Sequence, residues 1–244
     1  SMATCPFERH GGWDFWQHSS RSTVNLVQHK RKKMLRNLTL AAFVCGMMLT
    51  ASAQSTEIIQ LNPGDKAPSA DMKLTNIDGQ DWSLIDIAGE NGLLVMFSCN
   101  TCPFVVGREG RSEGWEGRYN EVAGIAREQG IGTVLVNSNE DKRKGDDSLE
   151  QMKLHAMEAG YIMPYVVDYG HKLADAFGAR TTPHVYLFDS DFRLVYRGSI
   201  DDNVNSSDEV KEQYLQNAIE RMVEGKKIKP AVTKAIGCSI KRVS

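Results

Sequence analysis

Two cysteines separated by two residues, Cys99 and Cys102, are the strongest chemical signal in this 244-residue chain. A thiol pair at this spacing can exchange a disulfide, because one thiolate attacks a substrate sulfur and the second thiol then releases the mixed disulfide. Zinc sites use the same spacing but need about four ligands. The sequence holds no second such pair, and His155, His171 and His184 are not spaced as ligand pairs. We therefore predict redox chemistry, with no metal and no other cofactor.

The residues around the pair predict a buried strand that leads into a helix. Residues 93–97 (LLVMF) are a continuous apolar run, typical of a parallel strand buried on both faces. Pro103 follows Cys102 directly, and proline is favoured at the first helical position because its missing N–H leaves no bond unmade there. Cys102 is thus expected at a helix N-terminus, where free N–H groups and the helix dipole stabilise a thiolate.

The rest of the chain alternates short apolar runs with helical patterns. Asp78 and Gly79 signal a hairpin turn between strands at 72–75 and 81–84, and further strands are predicted at 131–137, 165–167, 184–188 and 193–197. Helices are predicted over 103–129, 148–159, 172–177 and 209–224, with a glycine-rich interruption at 107–117 and a charged loop at 140–147. This order predicts an α/β fold, a central mixed sheet flanked by helices.

Four segments together resemble the thioredoxin superfamily, most closely its secreted thioredoxin-like and peroxiredoxin-like branch of AhpC/TSA-type redoxins. They are GDKAP at 64–68, NIDGQDWSL at 76–84, the cysteine stretch at 93–106, and ARTTPHVYLFD at 179–189. The resemblance extends from about residue 61 to the C-terminus. It implies a thioredoxin-like fold with an N-terminal hairpin extension.

The resemblance also implies supporting roles for Thr182 and Pro183. The family places a cis-proline beside the cysteines, and Pro183 matches that context. The Thr182 backbone would then turn outward and pair with an extended substrate peptide, leaving no room for a metal beside the thiols. The attacking sulfur stays open: either Cys99 attacks as in an ordinary pair, or Cys102 attacks as in peroxiredoxins and Cys99 or Cys238 resolves the intermediate.

The first 54 residues are predicted to be a disordered leader that ends in a signal peptide. A basic stretch at 30–36 precedes an apolar run at 38–50, and an Ala-x-Ala cleavage site follows at 51–53. Because this run is shorter than the roughly 20 residues of a spanning helix, cleavage is favoured over a membrane anchor. Residues 55–244 then form the thioredoxin-like domain, in the periplasm or outside the cell, with no stable membrane insertion.

Cleavage would leave three cysteines, of which Cys238 is the odd one. It is a candidate third redox thiol on a C-terminal tail that reaches the site. The charge gives no sign of a nucleic-acid partner: 29 Lys and Arg stand against 31 Asp and Glu, a net of −2. Protein thiols, protein disulfides or a redox electron donor are the partners that we expect.

Three functions follow, in order of preference. The first is a thiol–disulfide oxidoreductase that uses Cys99 and Cys102 outside the cytoplasm. The second is a peroxiredoxin-like peroxidase with Cys102 as nucleophile; it ranks lower because Cys99 stands where that family's site has a hydroxyl. The third is a copper-carrying thioredoxin-like chaperone, which resembles this chain only loosely because Val106 replaces a cysteine of its pattern.

Overall fold

The computed structural model describes residues 58–243. Within this range, seven strands form one mixed sheet and two more form a short separate ladder. The large sheet runs, in spatial order, β2 (Asp81–Trp82), β1 (Leu74–Asn76), β5 (Tyr165–Val167), β4 (Ile131–Asn137), β3 (Gly92–Ser98), β7 (His184–Phe188) and β8 (Leu194–Gly198). The ladder pairs β6 (Thr181–Thr182) with β9 (Cys238–Ser239).

Six α-helices connect these strands in the described range. They are α1 (Leu84–Ile87), α2 (Pro103–Val106), α3 (Tyr119–Glu128), α4 (Leu149–Glu158), α5 (Lys172–Phe177) and α6 (Tyr214–Val223). Buried side chains of α3, α4 and α6 pack on one face of the sheet, and those of α1 and α5 pack on the other. The predicted layout, a mixed sheet with helices on both faces and a hairpin before the cysteines, is therefore confirmed.

Strand β3 lies near the middle of the sheet and delivers the chain to the cysteines. It pairs in parallel with β4 and antiparallel with β7, and all seven of its residues are buried. Because side chains alternate along a strand, Leu94 and Met96 join one core layer while Val95 and Phe97 join the other. Cys99 and Cys102 belong to the layer of Leu94 and Met96.

The predicted glycine-rich interruption at 107–117 of the helix over 103–129 is confirmed. Helix α2 has only four residues, and the chain then loops until α3 begins at Tyr119. Gly107 and Gly114 have φ angles of 82° and 72°, and a Cβ on Gly114 would lie 2.2 Å from the carbonyl oxygen of Val105. The loop folds back onto α2 so closely that only glycine fits, which is why the helix cannot continue.

The predicted helix over 209–224 is wrong at its start, because α6 begins at Tyr214. The Asp202 carboxylate accepts hydrogen bonds from the backbone N–H groups of Lys211 (3.0 Å) and Glu212 (3.2 Å). These bonds hold the segment before α6 in a non-helical conformation. A side chain nine residues away thus overrides the local helical pattern.

No helix within residues 58–243 combines the length and the apolar character needed to cross a bilayer. The predicted leader and signal peptide lie outside the described residues.

Candidate functional site: a cluster of three thiols

Cys102 occupies the turn between β3 and α2 that the sequence predicts. It is the N-cap residue of α2, and Pro103 takes the first helical position. Its carbonyl oxygen accepts hydrogen bonds from the backbone N–H groups of Val105 and Val106, at 2.8 and 2.9 Å. Cys102 is only 3% exposed, so its sulfur lies at a nearly closed surface.

The surroundings of Cys102 favour its thiolate. A hydrogen bond from the Cys99 thiol lowers the pKa of Cys102 to about 5 against the opposing effect of burial, and bonds from the thiol and backbone N–H of Cys238 and from the Phe104 N–H contribute. Each bond stabilises the charged sulfur more than the neutral one. The neighbouring thiols, rather than the four-residue helix alone, make Cys102 the acidic member of the pair.

The pKa of Cys99 is shifted in the opposite direction. Its hydrogen bond to the Cys102 sulfur, together with burial, raises the pKa of Cys99 well above that of an ordinary thiol, and the negative charge of Asp147 adds to this. The Thr182 hydroxyl lies 3.1 Å from the Cys99 sulfur and partly offsets the rise. At neutral pH the pair therefore consists of a Cys102 thiolate and a Cys99 thiol.

Thr182 and Pro183 lie against the two sulfurs. The Thr182–Pro183 peptide bond is cis, and the carbonyl oxygen of Thr182 lies 3.1 Å from the Cys102 sulfur, from which it accepts a hydrogen bond when that thiol is protonated. The backbone of Thr182 does not face outward to an empty edge. It pairs with β9 of the same chain, where Thr182 lies opposite Cys238.

This strand pairing brings Cys238 close to the sulfurs of Cys99 and Cys102. Its thiol contacts Cys102, and burial together with this contact raises the pKa of Cys238 to about 11. It is half-buried, whereas Cys99 is only 2% exposed. The structure therefore places all three cysteines of the predicted domain in one cluster.

The loop that carries Cys99 and Cys102 is held by a buried aspartate that sequence reasoning missed. Asp147 accepts a 2.9 Å hydrogen bond from the backbone N–H of Asn100, between the cysteines, and bonds from the side-chain amides of Asn137 (2.7 Å) and Asn139 (3.0 Å). The Tyr165 hydroxyl donates to the Asn100 side chain at 2.9 Å. The charged run at 140–147 indicated a solvated loop, and nothing in it marks one carboxylate as buried.

His184, next to Pro183, lies in a different environment. It pairs with Phe97 in the sheet, and its ring packs on that of Tyr186 with centroids 4.6 Å apart. Burial lowers the pKa of His184 to about 3, so the ring is neutral at physiological pH. Its described hydrogen-bond partner is Tyr186 rather than a cysteine.

A cavity of about 200 Å³ adjoins Pro103 and Phe104, the two residues that follow Cys102. Arg108, Arg111 and Ser112 line its far side. Among residues 58–243, no group of three or more His, Cys, Asp or Glu side chains is arranged to hold a metal ion.

The family model of Redoxin matches residues 62–214, which is more than half of the chain. The chain belongs to the Redoxin family. The predicted membership of the thioredoxin superfamily, in its AhpC/TSA-type branch, is thereby confirmed, as is the thioredoxin-like fold. Family membership makes this redoxin a redox protein of the thiol oxidoreductase or peroxidase kind.

Several solved structures are similar to this redoxin over two thirds or more of the chain. An uncharacterized conserved protein of Geobacillus kaustophilus is 33% identical over 74% of this chain and 92% of its own, with a TM-score of 0.65. A hypothetical protein of Sinorhizobium meliloti is 29% identical over 76% and 97%, with a TM-score of 0.67. The thioredoxin domain of a thiol-disulfide oxidoreductase of Bacteroides vulgatus is 20% identical over 67% and 99%, with a TM-score of 0.49. No curated protein matches the chain.

The acidity of Cys102 gives this redoxin a testable pH profile. The alkylation rate of Cys102 by iodoacetamide should reach half its maximum near pH 5, whereas an ordinary thiol does so near about 8.5. Rates measured by peptide mass spectrometry on the reduced protein check this. Replacing Cys99 by alanine removes the main stabilising bond and should move the midpoint upward; a wild-type midpoint near that of a free thiol would contradict the assignment.

Proposed function

We propose that this redoxin is a thiol–disulfide oxidoreductase that exchanges electrons with cysteines of other proteins through Cys99 and Cys102, outside the cytoplasm. One observation carries the proposal: at the start of α2 the sulfurs of Cys99 and Cys102 both lie 3.1 Å from oxygen atoms of Thr182, and a hydrogen bond from the Cys99 thiol lowers the pKa of Cys102. A thiolate that is ionised at neutral pH attacks disulfides, and an adjacent thiol can resolve the product.

The acidity of the Cys102 sulfur supports Cys102, rather than Cys99, as the nucleophile. The Cys102 thiolate attacks a substrate disulfide, forms a mixed disulfide and expels one substrate thiolate. A second protein thiol then attacks the Cys102 sulfur, passes its proton to the departing substrate sulfur and closes an intramolecular disulfide. The substrate gains two electrons as the protein loses two, and the reverse sequence oxidises a substrate dithiol.

Reduction of insulin by dithiothreitol tests this activity. The full chain should accelerate the precipitation of reduced insulin chains, because the Cys102 thiolate attacks interchain disulfides faster than the small reductant does. A protein without Cys102 gives the background rate. Absence of any acceleration by the folded wild-type protein would refute the proposal.

A peroxidase is the second candidate, favoured by the position of Cys102 at a helix start directly before Pro103. In that reaction the Cys102 thiolate would attack a hydroperoxide, releasing an alcohol and forming a sulfenic acid that a neighbouring thiol condenses with water loss. The neighbour three residues earlier is the Cys99 thiol rather than a hydroxyl group. Rapid hydroperoxide consumption without insulin reduction would reverse the order of the two candidates.

The extracytoplasmic location rests on the leader sequence alone. The basic stretch, the apolar run and the Ala-x-Ala site at 51–53 support export and cleavage before Gln54. An oxidising compartment also suits a protein that works by disulfide exchange. Expression of the full chain in a bacterium, cell fractionation and mass measurement of the mature N-terminus test this; an uncleaved protein retained in the cytoplasm would refute it.

A further inference from the structure

The edge of Thr182, where we predicted a substrate peptide, is occupied by the C-terminal segment of the chain. Thr182 lies opposite Cys238 and Thr181 opposite Ser239 in the β6–β9 ladder. Paired residues of antiparallel strands have their Cβ atoms about 5 Å apart, on the same face. Because Thr182 contacts the sulfurs of both Cys99 and Cys102, its strand partner delivers the Cys238 thiol to the same place.

Backbone hydrogen bonds fasten this segment on both sides of Cys238. Before it, the N–H of Thr233 donates to the carbonyl oxygen of Arg197 at 3.0 Å. After it, the N–H of Ile240 donates to the carbonyl oxygen of Arg180, also at 3.0 Å. The position of Cys238 is therefore set by the fold, and the thiol is not on a free tail.

Gly237 allows the close approach of the two strands. A Cβ on this residue would lie 2.2 Å from the carbonyl oxygen of Thr182, the atom that accepts the hydrogen bond from Cys102. Any larger residue would push the segment and the thiol beside it away from the site. The approach thus depends on the residue that directly precedes Cys238.

The exposure and the pKa of Cys238 suit it to react after Cys102 has attacked the substrate. It is half-buried, while Cys99 is almost inaccessible at 2% exposure. Its raised pKa keeps Cys238 protonated at neutral pH, so it does not compete with Cys102 for the first attack. Once Cys102 is bound in a mixed disulfide, its charge no longer raises the pKa of Cys238, and the Cys238 sulfur lies beside the bond that it must attack.

We propose that Cys238 is a resolving cysteine of this redoxin, and that its disulfide with Cys102 joins the C-terminal strand to the active-site turn. The inference rests on the proposed function, because it needs a mixed disulfide on Cys102. Cys238 attacks the Cys102 sulfur, the bond between Cys102 and the substrate breaks, and the proton of Cys238 goes to the substrate thiolate. The two protein sulfurs are oxidised and the substrate disulfide is reduced to two thiols. An external dithiol then attacks the accessible sulfur of Cys238 and restores the reduced site.

Sub-stoichiometric dithiobis(nitrobenzoate), an aromatic disulfide, tests this on the full chain with Cys5 and Cys45 replaced by serine. In this background Cys99→Ser leaves only Cys102 and Cys238. If Cys238 resolves, each reagent molecule releases both of its thiolates, and mass spectrometry finds a Cys102–Cys238 disulfide. The Cys99→Ser/Cys238→Ser protein should release one thiolate and keep the other as an adduct on Cys102.

The possible failures are distinct. Release of a single thiolate by the Cys99→Ser protein, with a stable adduct on Cys102, overturns the role of Cys238 and leaves the proposed function intact. No reaction by Cys99→Ser alongside a reactive parent makes Cys99 the nucleophile and also overturns it. No reaction by the folded parent itself refutes the proposed function.

Gly237→Ala provides a second test that keeps every sulfur. In the Cys99→Ser background it should sharply lower the yield of the Cys102–Cys238 disulfide and leave the adduct on Cys102 instead. Gly124→Ala is the matched control, because a Cβ there meets nothing within 4 Å. Equal disulfide yields in the two alanine variants would contradict the strand-borne placement of Cys238.

Discussion

Replacing Cys102 by serine should lower insulin reduction by about 1,000-fold or more, to the rate of dithiothreitol alone. A serine hydroxyl is not ionised at neutral pH, whereas the pKa of the Cys102 thiol is about 5. The neighbouring thiols are poor substitutes, because burial raises the pKa of both Cys99 and Cys238 whether or not Cys102 is present. Initial rates of insulin precipitation over a range of enzyme concentrations measure the effect.

Cys99→Ser is the matched control for this loss. It keeps the nucleophile and, if Cys238 resolves, a complete dithiol, so it should retain more activity than Cys102→Ser. Both variants replace the sulfur of a buried cysteine by oxygen, and Cys99 and Cys102 are buried to nearly the same extent. The two variants should therefore have similar thermal unfolding midpoints. Full activity of Cys102→Ser with a dead Cys99→Ser would assign the attack to Cys99 instead.

Replacing Asp147 by alanine should destabilise the protein by about 3 kcal/mol. The fully buried carboxylate accepts bonds from the backbone of Asn100 and from the amides of Asn137 and Asn139. Alanine leaves these donors without a partner in the interior, and each buried unpaired group costs about 1–3 kcal/mol, not additively. Urea unfolding of the reduced wild-type and variant proteins measures the difference.

Asp147→Asn separates charge from hydrogen bonding. The amide keeps the shape and one acceptor, so the loss of stability should be smaller than with alanine. The negative charge of Asp147 contributes to the raised pKa of Cys99, and removing it should lower that pKa. Alkylation of Cys99 at alkaline pH in a Cys102→Ser background reports the shift. An unchanged unfolding midpoint in Asp147→Ala would show that the carboxylate does not hold the cysteine loop.

Local patterns predict the elements that present the cysteine pair. Strand β4 matches its predicted bounds of 131–137, and β3 extends the predicted run by one residue at each end. These strands are buried on both faces, so each one appears in the sequence as a run of consecutive apolar residues. The N-cap position of Cys102 follows equally from its neighbour, because Pro103 can begin a helix but cannot continue one.

Short-range patterns fail where a distant group decides the conformation. The late start of α6 depends on the carboxylate of Asp202, which binds the backbone before the helix. Asp147 looks like any other surface acid in a charged run, yet the Asn100 backbone draws it into the interior. Hydrophobic periodicity does not report these carboxylates, because each acts through hydrogen bonds to a backbone segment that is not its immediate neighbour.

The sequence by itself determined that two thiols meet where a sheet strand passes into a helix, since strand, turn and helix start are encoded within a dozen consecutive residues. Only the tertiary structure decided which sulfur is acidic and what lies beside it. Cys102 owes its low pKa to Cys99 and to Cys238, and Cys238 reaches it because its strand pairs with that of Thr182. The pKa of a thiol is set by the groups in contact with it, and those contacts exist only once the C-terminal strand lies against Thr182.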